Sequence, residues 1–85
     1  MPYDNEKRQA LYASLGKKLR QARKKCGWTL AEVSMISGID SGNISKIERG
    51  LIQTSFVTVV LLANAVGLRV EFKEDPAAMA VGLRP

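Results

Sequence analysis

Eighty-five residues leave room for one domain at most, and 46% hydrophobic content suits a packed core and is too rich for a disordered chain. Thirteen lysines and arginines against eight acids give a formal charge of +5, so an anionic polymer is a natural partner. A single cysteine excludes an internal disulfide and most zinc patterns, and the lack of histidine removes the commonest general base and metal ligand, so no enzyme, metal or cofactor is expected.

Eight basic residues fall in the first 25 positions: Lys7, Arg8, Lys17, Lys18, Arg20, Arg23, Lys24 and Lys25, against only Asp4 and Glu6. Leu11, Leu15, Leu19 and Ala22, with Cys26 following, recur at spacings of three and four and predict an amphipathic helix over about 6–25. Cys26 reads as a small buried apolar residue. Gly16 costs this helix ~1 kcal/mol relative to alanine, so it marks the close approach of another element.

Thr29 with Glu32 three residues later forms a capping box for a helix over 30–37, which turns Leu30, Val33 and either Ile36 or Ser37 to a core. Trp28 reads as core or as a staple ahead of that cap, and Ser34 and Ser37 as bystanders. Asp40 or Ser41 caps a third helix carrying Ile44 and Ile47. Thr54 or Ser55 caps a fourth over 56–66. Glycines 27, 38, 50 and 67 each follow a helical pattern and read as stops in the left-handed conformation.

Residues 68–73 alternate apolar and charged with period two, the mark of a half-buried strand, and Pro76 closes it. The expected organisation is one unit over 1–75 followed by a flexible tail over 76–85. Without a signal-peptide core or a long apolar run, a soluble cytoplasmic protein with no membrane partner is the default.

Residues 27–50 join two short helices through Gly38-Ile39-Asp40, the plan of a helix-turn-helix, whose second helix enters the major groove of DNA. Val33, Ile39, Ile44 and Ile47 would fix the angle between them. The outward residues of the second, Ser41, Gly42, Asn43, Ser45 and Lys46, are small and polar, as contact with base edges and phosphates requires.

Asn43-Ile44-Ser45-Lys46-Ile47-Glu48-Arg49-Gly50, with Arg20, Arg23, Gly27, Glu32, Gly38, Ile39 and the Leu62-Ala63-x-Ala65-Val66-Gly67 helix end, resembles the lambda-repressor-like (Xre-type) helix-turn-helix proteins from about residue 15 to 67. The resemblance implies a mainly α bundle of four helices, here followed by one C-terminal β-strand pairing across a dimer. It implies that Ser41, Gly42, Ser45 and Lys46 face base edges, while Thr29, Asn43 and the start of the fourth helix, Thr54 and Ser55, meet phosphates. It also implies that Arg23 pairs with Glu48. Lys17 and Arg20 are expected along the DNA backbone. Where the family usually carries a DNA-contacting glutamine this chain has Leu30, so that contact is lost or replaced.

A strand directly after the fourth helix, together with Gly27-Trp28-Thr29, is similar to the HipB-like antitoxins, whose resemblance implies autorepression and a toxin partner encoded nearby. The expected function is a sequence-specific double-stranded DNA-binding regulator, a dimeric repressor on an inverted repeat; the alternative is an antitoxin that neutralises a toxin. A lone strand lacks a ladder, so a second copy is its nearest partner, with Leu68, Val70 and Phe72 covering one face. On the fourth helix Phe56, Val59, Val60 and Ala63 suffice for the core, leaving Val57 and Leu61 for the dimer.

Overall fold

The computed structural model describes residues 5–77. Among the described residues four complete helices follow in order: α1 (Asn5–Cys26), α2 (Leu30–Ser37), α3 (Ser41–Glu48) and α4 (Phe56–Ala65). Their ends follow local chemistry. Thr29 Oγ1 accepts the Glu32 N–H while the Glu32 carboxylate accepts the Thr29 N–H, so both arms of the capping box form. Of the paired possibilities for the next two caps, Asp40 accepts the Asn43 N–H and Ser55 accepts the Thr58 N–H, both at 3.1 Å. The four glycines after the helices all have positive φ, between 70° and 81°.

The core is Leu19 of α1, Val33 of α2, Ile44 and Ile47 of α3, and Leu62, Ala63 and Val66 at the end of α4. Trp28, Leu30 and Ile39 pack against it from the flanks. α3 lies against both α1 and α2, and α2 against α4. Gly16 lets α1 approach: a methyl there would run into the carbonyl oxygens of Ile47 and Glu48 at the end of α3. Gly50 continues the same contact, since its Cβ would stand 2.9 Å from the Ala13 Cα. Two close backbone approaches therefore set the last turn of α3 directly on α1.

Several residues depart from the pattern-based expectation. Leu11 is exposed because α1 continues past the bundle, so its apolar stripe outruns the core that should cover it. Cys26 is exposed too, although its thiol reaches the Val66 carbonyl at 3.4 Å. Ser37, not Ile36, turns inward, and its hydroxyl accepts the Ile39 N–H, so it shapes the turn rather than standing by. Phe56 is not core: it is exposed and stacks on Phe72 with ring centroids 5.7 Å apart.

Among the described residues there is no strand. Residues 68–75 run without regular structure along the bundle, because the described residues of one chain offer no second strand for a ladder. Val70 packs against the core, while Leu68 and Phe72 stay exposed, so these three do not share one free face. The expected tail over 76–85 lies outside the described residues from position 78 onward.

Candidate nucleic-acid interface

α3 presents two faces. Ile44, Ile47 and Glu48 are buried, and the opposite side carries Gly42, Asn43 and Lys46, all exposed, with Ser41 and Ser45 half-buried at its edge. Nothing larger than Lys46 stands between Ser41 and Glu48 on that outward side, so a double helix could approach the backbone closely. Gly42 is open apart from the Asp40 carboxylate, 3.0 Å from where a Cβ would sit.

What holds this helix is an ion pair across the core. Arg23 Nε donates to Glu48 Oε2 at 2.7 Å and Arg23 Nη2 to Glu48 Oε1 at 3.0 Å, a two-pronged contact. The third prong, Nη1, donates to the Trp28 carbonyl at 2.9 Å. One guanidinium thus ties α1, the α1–α2 turn and α3 together. The hydrogen bond to Glu48 raises the Arg23 pKa above its ordinary value, against a smaller lowering from burial. Both side chains are nearly out of water, at 11% and 5% exposed, so the pair is structural and is not available to phosphates as a free charge.

The other residues expected to contact DNA lie on α1, at the start of α2 and at the start of α4. Gly16 and Arg23 turn toward α3, and Leu15, Leu19 and Ala22 toward the core. The adjoining sector of α1, away from the core, carries Lys17, Arg20 and Lys24, all exposed around one shallow groove. On the other flank, Thr54, Ser55 and Thr58 at the start of α4 meet Asp40 and Asn43 at the start of α3 around a groove of about 420 Å³. Thr29 is exposed at the start of α2; its oxygen accepts from Glu32, leaving its O–H free to donate. Leu30 is the exception. It is half-buried against the core and offers DNA no polar group.

Val57, Leu61, Leu68 and Phe72 are exposed on the α4 side, with Phe56 beside them. The residue that pattern reading passed over is Arg49. It ends α3 on the same outward face as Gly42 and Lys46, and the 42, 46, 49 spacing is the signal that marks it. No group of His, Cys, Asp and Glu among the described residues could hold a metal, and no described helix is long and apolar enough to cross a membrane.

The helix-turn-helix family model matches residues 19–73, well over half of the chain, and the chain belongs to that Xre-type family. It is a DNA-binding transcriptional regulator. Among solved structures it is similar to the restriction-modification controller protein C.AhdI from Aeromonas hydrophila, at 28% identity and a TM-score of 0.67, covering 71% of this chain and 91% of that one. No curated protein sequence matches the chain significantly.

Proposed function

We propose that the protein is a dimeric repressor whose α3 reads the major groove of an inverted-repeat operator. The observation that carries this reading is the outward face of α3: Gly42, Asn43 and Lys46 stand exposed while the buried Arg23–Glu48 pair holds the helix from behind. In it, Ser41, Ser45 and Lys46 meet base edges, and Thr29, Asn43, Thr54 and Ser55 meet phosphates on either side. The apolar strip of Val57, Leu61, Leu68 and Phe72 supplies the dimer contact, and a two-fold axis through it makes the operator a palindrome. Selection of bound sites from a random duplex pool tests the reading. A palindromic consensus supports it, and recovery of no consensus overturns it.

A second reading, an antitoxin that also regulates its own operon, draws on apolar surface beyond that strip. Met35 is 85% exposed and Ile36 55% exposed on α2, and neither is covered by another described element. The solved relative is a restriction-modification controller, which favours regulation without a toxin. The neighbouring genes separate the two: a kinase-like toxin frame favours the antitoxin, restriction and modification genes the controller.

A further inference from the structure

The segment that follows α4 doubles back on it. Val66, at the end of α4, accepts the Cys26 thiol, and the Phe72 ring then stacks on Phe56 at the start of the same helix. Between these points Val70 packs against the core, and the Leu68 N–H donates to the Ala63 carbonyl at 2.8 Å. No backbone hydrogen bond joins residues 69–74 to another described residue, so an open edge remains. An extended strand would point Leu68, Val70 and Phe72 to one side. Here Val70 turns inward while Phe72 lies out on Phe56, so the folded-back segment does not have the form of a strand. Taking that form brings Phe72 to the side of Val70 and separates the two rings.

We propose that residues 68–73 are a two-state element. In the monomer the Phe56–Phe72 stack clasps them to their own α4; in the dimer they are released and pair antiparallel with the same segment of a second copy, with the two-fold axis at Val70. The inference rests on the dimer reading above and adds the contact that opposes assembly and the register that assembly takes. Charge and polarity select the register. With the axis at Val70, Leu68 stands opposite the partner's Phe72 and Arg69 opposite the partner's Glu71, so both faces match. An axis at Glu71 sets that acid against itself and Arg69 against Lys73. An axis at Phe72 sets Val70 against Glu74 and Leu68 against Pro76, which has no N–H for a ladder. An axis between two residues puts apolar side chains opposite charged ones. Within one chain Arg69 and Glu71 lie 3.6 Å apart and exposed, a weak pair that the dimer exchanges for two between chains. The clasp thus raises the concentration at which dimers, and with them operator binding, appear.

Sedimentation equilibrium of the full chain and its variants tests both halves. An aromatic stack of this kind shifts an equilibrium by about two- to tenfold, and each dimer opens two of them. Phe56→Ala should therefore tighten dimerisation by roughly five- to a hundredfold. Phe72→Ala removes the same stack but also the ring that faces the partner's Leu68, so it should weaken dimerisation. Opposite signs from the two ends of one stack are the expected result. A Phe56→Ala dimer that is unchanged or weaker overturns the clasp. Arg69→Glu and Glu71→Arg should each weaken self-association by about tenfold, because like charges then stand opposite. An equimolar mixture of these two variants should dimerise as the wild type does, since both cross-strand pairs are again opposite in sign. A mixture no tighter than its components overturns the register. If neither the wild type nor Phe56→Ala self-associates, the dimer reading itself fails. If the wild type dimerises and the variants break these signs, the two-state segment alone fails. Thermal melts of each variant confirm that the fold is retained.

Discussion

At the scale of single residues, the Arg23–Glu48 pair is the interaction whose loss should be most costly. Removing either partner leaves the other charged and nearly buried, which should cost roughly 3–5 kcal/mol, whereas replacing both by apolar groups of similar volume should cost far less. Urea melts of Arg23→Ala, Glu48→Ala and a double Arg23→Met, Glu48→Leu variant decide this; small additive losses would make the pair a surface contact. The pH dependence follows from the sign of the shift. Because the folded pKa of Arg23 is raised, its contribution is fully present below the unfolded value and fades only as pH rises through the folded one. The cost of Arg23→Ala should therefore be the same in mildly acid and mildly alkaline buffer. Lys46, by contrast, is exposed and should matter only when DNA is bound. Lys46→Ala should relax preference at one base position at a cost of ~1–3 kcal/mol, read from binding to single-base operator variants, with no change in the melt.

At the scale of elements, glycines in two helices should respond in opposite ways to the same added methyl. In Gly16→Ala the gain in helix propensity, ~1 kcal/mol, competes with a collision against two backbone carbonyls that no rotamer change relieves. Overpacking of that kind costs about 1–3 kcal/mol, so the variant should melt lower and, with α1 displaced from α3, bind DNA more weakly. Gly42→Ala meets only the Asp40 carboxylate oxygen that caps α3, 3.0 Å from the new methyl; a shift of a few tenths of an ångström in that side chain keeps the cap, and the gain in helix propensity should raise the melting temperature. Its methyl nonetheless stands on the outward face of α3, so operator affinity should fall while stability rises. Calorimetry and binding on both variants check the pair; a stabilised Gly16→Ala would remove the close helix contact. The special backbone role of Gly16 was legible in the sequence as an otherwise unfavourable residue. Which element it admits was not, because that depends on how α3 comes back against α1.

At the scale of the whole molecule, the exposed strip on α4 and the segment after it sets the expectation for assembly. Val57 and Leu61 are surface residues with no partner element among the described residues, so Val57→Asp with Leu61→Asp should yield monomers that fold normally and bind DNA far more weakly. Phe72→Asp belongs with them, whereas Val70→Asp would injure the core that Val70 packs against and so confuse assembly with stability. Sedimentation of these variants beside the wild type is the measurement, and a wild type monomeric at micromolar concentration would end the dimer proposal. What the sequence alone determined was local: the helix ends, because caps and left-handed glycines act over three or four residues, and the inner faces of α2 and α3, because a 3.6-residue period reports itself. What only the tertiary structure decided was coverage. Leu11, Cys26 and Phe56 carry core-like side chains at core-like spacings, yet they lie where no described element arrives to bury them. The segment over 68–73 has the alternation of a strand, but a strand exists only through hydrogen bonds to another one, and the described residues of a single chain present none.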